Sequence, residues 1–164
     1  MQVVSGPYGR EKVHFEAPGS ERLAAEMKRF LEWFETPDAT DPVLRAAIAH
    51  FWFVTIHPFD DGNGRIGRAI ADLALARAEG SSQRFYSMSG QIRLEREGYY
   101  RILEQSQKAD LDISAWLIWF LDCLDRAVTG AEQLLGQVLA KARFWESLSG
   151  ENLSARQRAV LNRL

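Results

Sequence analysis

One stretch of the chain gathers most of the residue types that do chemistry: His57-Pro58-Phe59-Asp60-Asp61-Gly62-Asn63-Gly64-Arg65-Ile66-Gly67-Arg68. Its glycines leave backbone N–H groups uncovered where a helical pattern begins, and such a nest binds anions. Arg65 and Arg68 are three residues apart, so both project from nearly the same face of the first turn. Two guanidinium forks there suit a di- or triphosphate. Asp61 precedes the nest, where a single carboxylate together with phosphate oxygens can hold Mg²⁺. His57 is the group in the loop suited to general-base work near neutral pH. Together these residues describe a nucleotide-dependent group-transfer site in which His57 deprotonates an acceptor hydroxyl.

Generic phosphate and metal motifs overlap this stretch and fit it less well. Gly62, Gly64 and Gly67 satisfy G-x-G-x-x-G, but a dinucleotide site needs a βαβ unit and the flanking periodicity is helical. Gly62-x4-Gly67 imitates a P-loop, yet Arg68-Ala69 stands where Lys-Ser/Thr is required. Read as an EF-hand from Asp61, the loop has Arg65 at a ligand position and Ile66 where the turn glycine belongs.

The elements that must position the loop are mostly helices. Val3-Val4 and the alternating run Lys12 to Glu16 predict a β-hairpin over residues 2–16, with Gly6, Pro7 and Gly9 between its arms. Ser20 is the expected N-cap of a helix carrying Leu23, Met27, Phe30, Leu31 and Phe34 to about residue 35. Asp41-Pro42 caps the next, with Val43, Leu44, Ala47, Ile48, Phe51 and Trp52 on its apolar side, ending at His57. Ile66, Ala69, Ile70, Leu73 and Ala74 continue the period after the loop until Gly80. Further helices are predicted over about 90–108 and 115–146. A capping box, Ser154-x-x-Gln157, opens a last one. His14 and His50 read as ordinary strand and helix residues, and Cys123 as a buried, inert thiol. Of Tyr99 and Tyr100, Tyr100 is expected to face the site.

Composition frames this reading. The chain has 164 residues, enough for one domain with its own core. With 20 Lys and Arg against 22 Asp and Glu, it lacks the basic footprint of a domain that lives on nucleic acid. A single cysteine excludes an internal disulfide, and no apolar run reaches membrane-spanning length. A soluble, cytoplasmic domain that does not engage a membrane is the expectation.

The loop resembles the Fic family signature, H-x-F-x-[DE]-G-N-G-R-x-x-R, at every specified position. The hairpin before Ala17-Pro18, the Met27 to Trp33 helix and the Tyr99-Tyr100 helix also look like parts of a Fic core from bacteria. The resemblance implies a mainly α, Fic-type helical bundle with an N-terminal β-hairpin flap, spanning residues 1–150. It implies a protein adenylyltransferase that moves AMP from ATP to a Ser, Thr or Tyr hydroxyl of a protein, the chain itself included. Carried over, His57 is the general base and Asp61 the Mg²⁺ ligand. Asn63 and the Gly62 and Gly64 amides hold phosphates, and Arg65 and Arg68 neutralise the leaving pyrophosphate. Phe59 is expected to anchor the loop in the core. Lys12, Val13, His14 and Phe15 form the nucleotide-facing arm of a flap that aligns the target main chain by strand addition. Tyr99, Tyr100 and Gln107 match the adenine and ribose contacts. The family's kinase branch departs from the motif at the GNGR positions, which this sequence keeps.

Ser147-Leu-Ser-Gly-Glu151-Asn152 resembles the family's inhibitory S-x-x-x-E-[GN] motif, although Gly150 and Asn152 favour a linker over the helix that carries that motif in the family. Removal of AMP, the activity that depends on that glutamate, is a lesser expectation. Residues 151–164 look like the first helix of a winged-helix module that follows some Fic cores, cut off at Leu164. The alternative function is a nucleotide-sensing regulatory module of a larger DNA-binding protein, with nucleic acid touched only through such a C-terminal module. Oligomerisation is compatible with either reading.

Overall fold

The structure, a computed structural model, describes residues 2–5, 12–81, 83–151 and 153–162, with side chains from residue 15 onward. It is mainly α, as the sequence implies: two strands, β1 (Gln2–Ser5) and β2 (Lys12–Glu16), precede helices α1 (Ser20–Glu35), α2 (Pro42–Ile56), α3 (Asn63–Glu79), α4 (Met88–Leu94), α5 (Arg96–Lys108), α6 (Ser114–Ser147) and α7 (Ala155–Leu161). The chain divides into two compact units, residues 1–128 and 129–164. Among the described residues no helix is long and apolar enough to cross a membrane.

In the first unit α2 is the central post. Asp41 accepts from the backbone N–H groups of Val43 (2.9 Å) and Leu44 (3.2 Å), and Pro42 begins the helix. Beyond that start α2 is apolar nearly all round, so it must be buried on both sides. Ala46, Ala47 and Phe51 pack into one cluster with Leu75, Tyr99, Trp116 and Phe120. Ala49, Phe53, Val54 and Ile56 pack into another with Phe30. The Trp116 indole N–H donates to the Ala47 carbonyl at 2.9 Å, satisfying a polar atom that burial would otherwise leave costly. Arg45 ties α1 to α2, donating to the Trp33 carbonyl at 2.6 Å and to the Thr36 carbonyl at 3.0 Å.

The helix α3 lies against α2 at unusually close range. A Cβ built on Gly67 would fall 2.7 Å from Val54 Cγ1, so only a glycine lets the two backbones approach this far. That close approach, rather than phosphate binding, is what the third glycine of the loop motif supplies.

Two boundaries differ from the sequence reading. The helix expected over about 90–108 is broken at Glu95, whose backbone leaves helical geometry (φ −101°, ψ 26°). Its carboxylate is drawn sideways to Arg126 Nε (2.7 Å) and Nη2 (2.5 Å) and also accepts from Gln91 (2.6 Å). The first helix is preceded by Gly19 as N-cap, with no side-chain cap, and Ser20 is its first residue. The hairpin is present: β1 and β2 pair antiparallel, with Gln2 opposite Glu16, Val3 opposite Phe15 and Val4 opposite Val13. His14 is the extra residue of a bulge between those last two pairs.

In the second unit the capping box forms as read from sequence: the Ser154 N–H donates to Gln157 Oε1 (2.8 Å) and the Gln157 N–H to Ser154 Oγ (3.3 Å). Glu151 lies beyond the end of α6 in a non-helical segment, and Asn152 lies outside the described residues.

Candidate active site

The site begins where α2 ends. His57 adopts left-handed backbone geometry (φ 52°, ψ 58°), the one non-glycine residue with positive φ among those described. Such a conformation is costly for a side chain and persists only where the surroundings impose it. Here the His57 N–H donates to the Phe53 carbonyl at 3.1 Å, closing α2, while Nδ1 lies 3.3 Å from the Val54 carbonyl. A carbonyl can only accept, so Nδ1 carries the proton and Nε2 keeps its lone pair. Partial burial holds the imidazole below its ordinary pKa of 6.5, which keeps it neutral at physiological pH.

From His57 the chain turns through Pro58 to Gly62 and enters α3. Asn63 locks this turn: its Oδ1 accepts from the Phe59 N–H at 3.0 Å, and its Nδ2 donates to the Phe59 carbonyl at 2.5 Å. The Asn63 side chain is buried. Its amide oxygen and one of its amide N–H groups are thus given to the loop's own backbone. The Phe59 ring, expected in the core, is about half exposed and meets only the edge of it at Phe53, ring centres 6.4 Å apart. The anchor of the loop is the buried asparagine instead.

Gly62 caps α3 at φ 88°, a conformation in which any side chain is strained. The first N–H groups of α3 therefore point out of the helix end without intrahelical partners. Both arginines lie back over this end. A Cβ on Gly62 would fall 3.5 Å from Arg65 Nη2, and one on Gly64 3.6 Å from Arg68 Nη1. Arg65 also pairs with Asp61 at 2.8 Å, and both side chains are exposed. Arg68 has no carboxylate partner among the described residues.

The helix α5 supplies the opposite wall. Gln107 donates from Nε2 to Thr55 Oγ1 at 3.1 Å, which places it beside the last turn of α2, two residues before His57. Tyr99 and Tyr100 both line a cavity of about 560 Å³ together with Arg68. They do so differently: Tyr99 is buried and Tyr100 about half exposed. The Tyr99 hydroxyl lies 3.0 Å from His50 Nε2, and burial raises its pKa. The strand β2 runs beside α5. Phe15 is half-buried, and the side chains of Lys12, Val13 and His14 lie outside the described residues.

The structure thus brings His57 and Gln107 to one end of α2, and Arg68, Tyr99 and Tyr100 to one cavity. His50 was missed as part of this assembly. It is fully buried, stacks on Trp116 with ring centres 5.3 Å apart and holds Tyr99, and burial lowers its pKa to about 3. Its position among apolar helix residues gave no sign of this, because its partner is 49 residues away. Among the described residues no group of three His, Cys, Asp or Glu side chains is placed to hold a metal by itself. The exposed carboxylate of Asp61 fits a Mg²⁺ ion that takes its other ligands from phosphates and water.

Comparison with known proteins gives concordant findings. Residues 2–75 match the model of the Fic/DOC family. The chain is 30% identical over 163 aligned positions to the curated protein adenylyltransferase Fic of Drosophila melanogaster, covering 94% of this chain and 32% of the relative. The corresponding protein of Drosophila willistoni is 31% identical over 131 positions, covering 77% and 25%. The chain therefore spans about a third or less of the length of these relatives. Among solved structures, a Fic family protein from Desulfovibrio desulfuricans G20 aligns with TM-score 0.64 and 28% identity, covering 96% of this chain and 47% of that one.

Proposed function

We propose that the chain, whose residues 2–75 match the Fic/DOC family and carry the loop from His57 to Arg68, is a protein adenylyltransferase, moving AMP from ATP to a hydroxyl of a protein. The observation that carries the reading is the fixed tautomer of His57. With Nδ1–H directed to Val54, Nε2 is the free base, and it stands at the head of the loop that leads to the α3 amides. In the step itself, Nε2 takes the proton of the acceptor hydroxyl. The oxygen bonds to the α-phosphorus, the bond from that phosphorus to its bridging oxygen breaks, and pyrophosphate leaves.

The helix end and its two guanidiniums stabilise charge that grows on the phosphate oxygens during transfer. Asp61 would hold a Mg²⁺ ion, whose positive charge would further offset that of the phosphates. For the ion to bind there, Asp61 must exchange its pairing with Arg65, which frees that guanidinium for phosphate. Gln107 and Tyr100 would orient the nucleoside, and the main chain of β2 would align the target by strand addition.

Incubation with ATP labelled on the α-phosphate tests the reading. Label is expected on the chain itself or on a protein partner, and His57→Ala should slow its appearance by about a hundred-fold or more. Transfer of label from the γ-phosphate alone would replace this reading with phosphoryl transfer.

A further inference from the structure

The 560 Å³ cavity is lined by more positive charge than the loop motif accounts for. Besides Arg68 it is bordered by Arg93, near the end of α4, and Arg96, at the start of α5. The two are three residues apart, a spacing that puts side chains on one helix face, and both border the same space. Neither arginine has a carboxylate partner among the described residues. The acid between them in sequence, Glu95, is held by Arg126 and Gln91. Among the described residues no acid lines the cavity. The carboxylate that its Ser89 reaches, Asp72 at 3.2 Å, is already bound to Arg84 at 2.6 Å. Three guanidiniums thus border one cavity with no carboxylate paired to them among the described residues, an arrangement that suits an anion.

We infer that Arg93 and Arg96 extend the site beyond Arg68 into a receptor for the pyrophosphate end of a nucleoside triphosphate. This rests on the adenylyltransferase reading, and it adds two specificity-determining residues outside the loop motif. Two features favour the nucleotide's own tail over a separate anion. Arg68 belongs to both the cavity and the helix end beside Gly64, so the two spaces share a wall. Arg96 also lies over the ring of Tyr100, 5.5 Å from its centre, which holds the guanidinium against the cavity that it shares with Arg68. The leaving pyrophosphate carries more negative charge than Arg65 and Arg68 match between them, and Arg93 and Arg96 add to theirs.

The test compares binding of ATP, AMP and inorganic pyrophosphate to the full chain by calorimetry. Arg93 and Arg96 are exposed, so their removal leaves the core untouched. In Arg93→Gln/Arg96→Gln, ATP and pyrophosphate should each bind about ten-fold or more weakly, while AMP binding stays unchanged. Arg93→Lys/Arg96→Lys should recover part of the loss by restoring charge. Equal weakening of ATP and AMP would overturn the inference, because the cavity would then serve the nucleoside. Unchanged ATP and pyrophosphate binding would overturn it as well. Failure of the underlying reading is seen separately: α-label from ATP that reaches neither the unmodified chain nor a protein partner refutes adenylyl transfer, whatever pyrophosphate does.

Discussion

Asn63→Ala separates two roles that the loop motif cannot distinguish, direct contact with phosphate and construction of the loop. The side chain is 2% exposed and makes both of its hydrogen bonds to the backbone of Phe59, at 3.0 and 2.5 Å. Alanine deletes both. Phe59 sits at the surface, so its freed N–H and carbonyl can reach water once the loop loosens. The loss is then the net worth of two hydrogen bonds, about 1–3 kcal/mol, rather than the full penalty of burying them unpaired. For a chain of this size that is a fall in melting temperature of roughly 4–8 °C at the middle of the range. Calorimetric melting without nucleotide reads it directly. ATP affinity should fall in the same variant, because the α3 amides are aimed by the turn that Asn63 closes. Asn63→Asp should do no better, since it keeps an acceptor for the Phe59 N–H but turns a second oxygen toward the Phe59 carbonyl. An Asn63→Ala protein that melts within about 1 °C of the parent yet fails to bind ATP would refute the reasoning, and would return Asn63 to the phosphates.

Three further outcomes follow from the same geometry. Because burial lowers the His57 pKa, its base form should be fully populated at neutral pH. The acid limb of the transfer rate should be centred below 6.5; one centred at 7 or higher would contradict the burial argument. His50 has a folded pKa of about 3 against 6.5 when exposed, so it contributes stability that is complete above 6.5 and lost progressively as pH falls toward 3. That amounts to about 2 kcal/mol by pH 5, and urea titrations across this range should show the slope in the parent and not in His50→Gln. Gly67→Ala should cost about 1–3 kcal/mol by overpacking against Val54, with much of it restored in Gly67→Ala/Val54→Ala, as thermal melting would report.

The loop was legible because its chemistry is local. A base, a carboxylate, a glycine nest and two arginines one turn apart are all specified by spacing along twelve residues. The helices were legible from their periodicity, and the Ser154 cap from its two-residue signature. What sequence could not convey was orientation. Asn63 belongs to a motif that binds phosphate, yet whether an amide faces ligand or its own loop depends on which neighbours it can reach. The break at Glu95 was hidden for a similar reason. The residues around it are good helix formers, and the partner that draws Glu95 away lies 31 positions later on α6.

The placement of the chemistry on helix ends explains why so short a segment suffices. The base stands at the last turn of a helix buried on both sides, and the anion-binding amides stand at the first turn of the helix packed most tightly against it. Gly67 sets the distance between those two helices, and Asn63 sets the path between their ends. Only residues 57–62 lie outside regular structure between them, so little conformational freedom remains to be lost when nucleotide binds. Two scaffold positions that touch no substrate, Gly67 and Val54, therefore control where Nε2 lies relative to the phosphate. A variant that alters their packing should reduce the transfer rate more than it reduces ATP affinity. Reacting atoms must meet within a narrow range for transfer, whereas three flexible arginines can follow a displaced phosphate.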